Sequence, residues 1–288
     1  MKPFEYLEAS TIAEACCLLA EHKGKARLIG GGTDLFLAMK DRKITPEYII
    51  NLKTIPDLDY IRHDNGAGLQ IGALATLSTL ETSTLIREKF PILSATVRKI
   101  AVPAIRNMAT IGGNLCNAAP SADSAPPLIG LGARVRIAGV NRERTVNPED
   151  FFVGPGQNAL ETDEMLVEIQ IADPPAHTRS VYLKLEPRTA VDIALAGVAV
   201  IITLDAQHLN IIDARIALGA VAPTPIRAFR AEEVLKGKTI NEPLMDKAAE
   251  VAAEESSPIS DVRGSADYRR DMVKVLTKQA LTELTAGT

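Results

Sequence analysis

The chain has 288 residues, 46% of them apolar, and a formal net charge of −4, which allows sizeable buried cores in one large domain or two to three small ones. Lys and Arg are scattered, which excludes the concentrated basic face of a nucleic-acid binder. The richest apolar run, Ile193 to Leu204, is too short for a membrane span, and Met1 to Tyr6 carries no apolar signal core, so a cytoplasmic chain with no membrane contact is expected.

In chain order, Thr11-Ile12-Ala13-Glu14 reads as a capping box. Ile12, Ala15, Cys16 and Leu19 recur at helical spacing, predicting a first helix to about Lys23-Gly24 in which Cys16 and Cys17 serve packing. Ala26 to Ile29 is a short strand feeding Gly30-Gly31-Gly32. Asp34 then opens a brief helix with Leu35, Ala38 and Met39 inward, and Tyr48 to Leu52 is the next strand. This is a small α/β unit, helix first, with its glycine loop at a strand's carboxyl end, where such sheets place ligands.

Leu58 to Ile61 and Leu69 to Ala73 flank Asp64-Asn65-Gly66, a hairpin signal that starts a second unit near Pro56. Helices are expected over Leu77 to Ile86 and Pro91 to Ile100, then an irregular stretch Val102 to Asn107, then strands at Arg134 to Ile137 and Met165 to Ile169. Asp173-Pro174-Pro175-Ala176 continues no regular element and marks a boundary. Beyond it come three strand-like runs (Val181 to Leu185, Ile193 to Leu204, Ile211 to Leu218) and three helical patterns (Arg230 to Leu235, Leu244 to Glu254, Tyr268 to Leu284), the order of an α+β domain.

Two glycine segments carry the chemical signal. Ala109 to Asp123 pairs Gly112 and Gly113 with Thr110, Asn114, Asn117, Ser121 and Asp123; Leu28 to Leu35 holds the triplet and Thr33. Without a Cβ the backbone can approach a ligand closely, and free N–H groups beside it can hold anionic oxygens. Neither segment is a phosphate-binding P-loop, since no Gly-Lys-Ser/Thr follows, and the first lacks the third glycine of the dinucleotide fingerprint. A lone triplet is equally well a tight turn. Together they suggest one dinucleotide gripped by both. Three cysteines and four histidines, none at metal-ligand spacing, leave no iron–sulfur or zinc site, so any electron carrier on this chain is organic.

Ile29 to Leu35 and Arg106-Asn107-Met108-Ala109-Thr110-Ile111-Gly112-Gly113-Asn114-Leu115 resemble the FAD-binding medium subunit, or middle domain, of the molybdenum hydroxylases, a family that includes xanthine, carbon monoxide and nicotinate dehydrogenases. The likeness runs the length of the chain, through Gly154-Pro155-Gly156, Asp163-Glu164-Met165-Leu166, Ala222 to Arg227 and Tyr268-Arg269-Arg270. Ser121 to Pro127 is most similar to the bacterial xanthine dehydrogenase type.

The resemblance implies an α+β fold of the vanillyl-alcohol-oxidase type: two FAD-binding α/β subdomains (1–55 and 56–175) and a C-terminal α+β domain (176–288) of a three-stranded sheet and helices. It implies FAD as cofactor. Leu28, Ile29, Gly30, Gly31, Gly32, Thr33, Asp34 and Leu35, with Thr110, Ile111, Gly112, Gly113 and Asn114, would hold its diphosphate and the ribose and ribityl groups. Asp123 would accept hydrogen bonds from it, Leu166 would touch the flavin, and Ile100 stands where some members carry an aromatic. Lys184 would lie near the ring, where an ammonium favours the anionic reduced form. By its residue type alone, Lys184 is a solvated edge-strand lysine and Asp123 a helix N-cap; Arg188 and Asp192 are expected to pair locally.

The implied partners are a small two-iron two-sulfur subunit and a large molybdopterin subunit, with NAD as electron acceptor. FAD can take up single electrons and release a pair as hydride, converting between iron–sulfur and nicotinamide chemistry. Two alternatives stay open: a self-sufficient FAD-dependent oxidoreductase of the same superfamily, and a non-redox module that binds a nucleotide.

Overall fold

The computed structural model describes residues 1–187 and 192–286. Its first unit runs β1 (Glu5–Glu8), α1 (Ile12–Glu21), β2 (Ala26–Ile29), α2 (Leu35–Lys40) and β3 (Tyr48–Asn51), with a parallel sheet in the order β1-β3-β2. The expectation of a helix first is corrected: β1 precedes it. Glu5-Tyr6-Leu7-Glu8 is mostly exposed and charged, as an edge strand can be, so it shows no apolar alternation. Thr11 caps α1 as expected, its Oγ1 accepting the Glu14 N–H at 3.1 Å; Glu14 reaches back to the Ser10 N–H at 2.7 Å, one residue earlier than a capping box would have it.

The second unit contains β4 (Ile61–Asp64), β5 (Gly68–Gly72), α3 (Leu77–Thr82), α4 (Thr84–Lys89), α5 (Pro91–Val97), α6 (Pro103–Arg106), α7 (Ile111–Cys116), α8 (Ala125–Gly130), β6 (Arg134–Gly139), β7 (Arg142–Val146), α9 (Pro148–Phe151), β8 (Phe152–Gly154), β9 (Gln157–Asn158) and β10 (Met165–Ile171). Its antiparallel sheet has the order β4-β5-β10-β6-β7, with β8 and β9 forming a separate ribbon. Three expectations are corrected. The hairpin's first arm is β4 rather than Leu58 to Ile61, because the Asp64 carboxylate turns the chain by accepting from the Gly66 and Ala67 amides at 2.8 and 3.1 Å. The helix expected over Leu77 to Ile86 breaks at Ser83, whose extended backbone and Oγ cap a second helix. The stretch Val102 to Asn107, expected irregular, contains α6, started by Pro103 at its first position.

The third unit is β11 (Thr178–Leu185), β12 (Ala196–Leu204), β13 (Asn210–Gly219), β14 (Ile226–Arg227), α10 (Phe229–Leu235), β15 (Lys238–Thr239), α11 (Glu242–Glu255) and α12 (Ala266–Thr285). The sheet runs β11-β12-β13-β14 with β15 also on β13, so it has five strands where three were expected; the two extra are only two residues long. Every residue of β12 is buried. Val198, Val200 and Ile202 join the core under the three helices, while Ala199 and Ile201 face the second unit, which is why this run is apolar throughout rather than alternating.

The first unit packs on the other face of the second unit's sheet: Ala15, Cys16 and Ile50 share a core with Ala138, Met165 and Val167. A bulge in β10 between Leu166 and Glu168 shifts the alternation by one, so Leu166 and Ile169 both face the helices.

Candidate functional site

The two glycine segments meet. A Cβ built on Gly31 would lie 2.1 Å from the Met108 carbonyl oxygen and one on Gly30 3.2 Å from Thr110 Oγ1, so the triplet is laid directly on the backbone leading into the second motif. Gly112 sits as tightly against Ala73, its added Cβ falling 2.7 Å from the Ala73 carbonyl oxygen. Gly32, at φ +75°, adopts the left-handed conformation that favours glycine. These glycines are therefore required by chain-on-chain contact as well as by any guest.

The second segment is helical. Thr110 caps α7, its Oγ1 accepting from the Gly113 N–H at 3.1 Å, which places Gly112 and Gly113 in the first turn of a helix rather than in an open loop. Between α7 and the end of β2 opens a cleft of about 750 Å³. Leu28 to Leu35, Thr110, Gly112, Gly113, Asn114 and Leu166 line it. Ile111 is buried beneath its wall, and Val167, one residue from Leu166, faces the first unit instead.

Among the described residues, the amides of Gly31, Gly32, Thr33 and Asp34 have no protein hydrogen-bond acceptor. A run of unpaired N–H groups on residues that line a roomy cleft, which apolar Leu28, Leu52 and Leu74 also line, suits a molecule with a diphosphate and a flat ring. FAD fits this site.

Asp123, Lys184 and Ile100 do not line the cleft. Asp123 and Lys184 lie together at the junction of the second and third units. The Asp123 carboxylate is buried, accepts from the Tyr182 hydroxyl at 2.7 Å through Oδ1, and stands 3.0 Å from Lys184 Nζ through Oδ2. Lys184 Nζ is also 3.0 Å from Glu186 Oε2 and donates to the carbonyls of Asp192, at 2.9 Å, and Lys99, at 3.3 Å. Lys184 does lie on an edge strand, β11, but the expectation that it is solvated is corrected: its side chain is 2% exposed and two carboxylates compensate it. Asp123 is not the N-cap of α8. Ser124 holds that position, and its Oγ donates to Asn114 Oδ1 at 2.5 Å, tying the junction to the cleft wall.

Burial pushes the Asp123 carboxyl above its ordinary pKa, against the downward pull of Lys184 and the Tyr182 hydroxyl. Burial, and then the neighbouring carboxylate, hold the Tyr182 phenol well above its usual value. Burial lowers the Lys99 ammonium, whose Nζ donates to the Tyr182 carbonyl at 2.8 Å. Ile100 is half-buried against the core that includes α7. The loop that carries it is gripped by buried Arg106, which pairs with Glu81 at 2.8 Å and donates to the carbonyls of Ile100 and Ala101 at 3.1 and 2.8 Å. Arg188, expected to pair with Asp192, lies outside the described residues.

Asn117, one of the polar residues of the second segment, caps α7 and lines the cleft, but the far wall was not foreseen. Gln157, Asn158, Glu161, Thr162 and Met165 contribute to it, from the ribbon β8-β9, the turn into β10 and the start of β10. That turn is held by Glu164, whose side chain is 1% exposed and paired with Arg144 at 2.8 Å and Arg142 at 3.4 Å. The available signals were Gly154-Pro155-Gly156 and Asp163 to Leu166, which mark these segments without revealing that they close a cleft.

Residues 2–174 match the model of the FAD binding domain in molybdopterin dehydrogenase, and residues 181–284 that of the CO dehydrogenase flavoprotein C-terminal domain. The chain belongs to the FAD-binding medium-subunit family of the molybdenum hydroxylases. It is 33% identical over 283 residues to the xanthine dehydrogenase FAD-binding subunit of Escherichia coli O157:H7, covering 98% of this chain and 96% of that one. It is 37% identical over 278 residues to the carbon monoxide dehydrogenase medium chain of Afipia carboxidovorans, covering 96% and 95%. The reconstituted CO dehydrogenase of Oligotropha carboxidovorans contains a chain that superposes with a TM-score of 0.95 at 36% identity, over 100% of this chain and 99% of that one. The α+β flavoprotein fold and FAD as cofactor, both expected from the resemblance, are those of the family. Among the described residues no helix is long and apolar enough to cross a membrane, and no group of three or more His, Cys, Asp or Glu side chains is arranged to hold a metal.

Proposed function

We propose that this medium subunit is the flavin station of a cytoplasmic molybdenum hydroxylase, receiving electrons from the clusters of a small two-iron two-sulfur subunit. A large molybdopterin subunit would carry the substrate chemistry, and NAD would be the acceptor. FAD, when bound, supplies the conversion between single electrons and a hydride. The observation that carries the reading is the meeting of Gly30-Gly31 with the backbone of Met108 to Thr110 at one cleft. One relative is named for xanthine and another for carbon monoxide, so the shared task is independent of the substrate.

In this reading the amides of Gly31 to Asp34 hold the diphosphate against the first turn of α7, with Leu28 to Gly30, Leu35 and Asn114 shaping the groove for the ribose and ribityl groups and Ile111 buried beneath it. Leu166 contacts the flavin inside the cleft, while Ile100, Asp123 and Lys184, which do not line it, would meet the ring where it extends beyond the cleft toward the junction, which the Ser124–Asn114 bond ties to the cleft wall. The chain divides as 1–55, 56–175 and 176–288, with the first two parts forming the walls and the third closing over the site.

The test is anaerobic addition of NADH to purified chain loaded with FAD. Bleaching of the flavin absorption by NADH supports the NAD-linked reading. A flavin that dithionite bleaches and NADH leaves yellow would assign the acceptor elsewhere, and a chain that takes up no flavin would remove the reading entirely. Purification from the native host with the iron–sulfur and molybdenum subunits attached is the expected outcome for the partners. Turnover of a small alcohol by the chain alone would instead favour the self-sufficient oxidoreductase.

A further inference from the structure

The loop between α7 and α8 is held by the third unit in an unusual way. Gly197 on β12 and Gly219 on β13 are paired across the strands. A Cβ on Gly197 would fall 2.5 Å from the Tyr182 hydroxyl oxygen, and one on Gly219 would fall 2.8 Å from Pro126 Cγ. The two glycines thus carve a depression in an otherwise Val- and Ile-rich sheet. Into it fit the Tyr182 phenol and the start of α8, three residues after Asp123. The Ala220 N–H donates to the Pro120 carbonyl at 2.8 Å and fixes the other side of the same loop.

We infer that Tyr182, seated against Gly197, is a positioning residue for Asp123: its hydroxyl fixes Oδ1 and leaves Oδ2 to Lys184, setting where this carboxylate stands toward the bound flavin. This rests on the reading that Asp123 faces the cofactor. A carboxylate free to rotate would exchange its two oxygens and trade Lys184 for other donors; a buried O–H···O⁻ bond at 2.7 Å prevents that. Phenol is suited to the task because burial and the adjacent carboxylate keep it protonated, so it remains a donor. The sheet supplies the socket and the flavin-binding unit supplies the carboxylate, which makes the third unit a support of the flavin site as well as its cover.

Two substitutions attack the same bond from opposite sides. Tyr182→Phe removes the hydroxyl and keeps the ring; Gly197→Ala keeps the hydroxyl and displaces it. Both are expected to weaken FAD binding about tenfold, followed by protein fluorescence quenching or the flavin's own emission, the amount one charge-assisted hydrogen bond carries. Both should also move the visible flavin band in the same direction, a change that a merely looser fold would not impose. Asp123→Asn and Lys184→Met serve as references. If the references alter affinity and band while Tyr182→Phe and Gly197→Ala leave both at the wild-type values, the positioning role is wrong and the site reading stands. If all four leave them unchanged, Asp123 does not face the flavin and both ideas fall. Should Gly197→Ala not fold, Tyr182→Phe decides alone, because Phe occupies the same space.

Discussion

The cleft wall and the unit junction reach order by different routes. The cleft is made of backbone: what matters at Gly30, Gly31, Gly112 and Gly113 is the absence of a side chain, and from Gly31 to Asp34 the run of unpaired N–H groups. The junction is made of side chains whose partners come from distant sequence, with Asp123 separated from Tyr182 by 59 residues and Lys99 hydrogen-bonded 83 residues away. A backbone site tolerates almost no substitution but needs only a local signature; a side-chain cluster is assembled by the tertiary fold and leaves little local trace.

The contrast is broken most sharply at Gly31. Gly31→Val should destabilise the chain by about 3 kcal/mol, since its Cβ meets the Met108 carbonyl and neither backbone can yield cheaply, and should abolish flavin retention. Denaturant melts and the absorption of protein incubated with FAD report the two effects. Gly113→Val is milder for the fold, since its Cβ meets the Thr110 hydroxyl at 2.9 Å, yet it should likewise abolish flavin retention by crowding the first turn of α7. Gly113→Val protein that stays yellow after gel filtration would show that α7 does not touch the diphosphate.

Next in size is Arg106→Ala, on the loop feeding the second segment. It leaves Glu81 without its partner and frees the Ile100 and Ala101 carbonyls, with an expected loss of about 3 kcal/mol in urea melts. Arg106→Lys should recover only part of that, because an ammonium cannot reach all three acceptors in the guanidinium's fixed geometry.

At the junction the effect depends on pH. Asp123 holds its proton to higher pH in the folded chain than in the unfolded one, so the folded state binds more protons between the two values and stability falls as pH rises through that window. Lys184→Met removes the compensating charge and widens the window upward. The variant should therefore lose more melting temperature than the wild type as pH rises above the ordinary carboxylate range, and parallel pH curves would contradict the pairing. The smallest effect is expected far from both regions: Thr11→Ala should cost about 1 kcal/mol through loss of the α1 cap, with flavin affinity unchanged.

Much of this molecule is legible in its sequence. α1, β2, β3, β10, β12 and the three C-terminal helices follow from caps and apolar period, and the glycine segments announced themselves by composition. What escaped were elements too short or too polar to pattern: β1, a mostly exposed edge; β7, Arg-Glu-Arg-Thr-Val; and β8, β9, β14 and β15, of two or three residues each. The helix in Ile111-Gly112-Gly113-Asn114-Leu115-Cys116 was hidden because two glycines argue against helix, and the Thr110 cap with packing on Ala73 overrides them. Tyr182 sits in a strand that was expected, but nothing local marks its hydroxyl as the partner of Asp123.

The central claim is that the paired glycine segments hold the diphosphate of FAD, and comparison of FAD with riboflavin on the same purified chain tests it most directly. Riboflavin keeps the ring and lacks the phosphates, so it should bind at least about a hundredfold more weakly than FAD if several charge-assisted bonds to backbone amides are lost. Equal affinity for the two would mean that the cleft beside Gly31 and Gly113 does not hold the diphosphate.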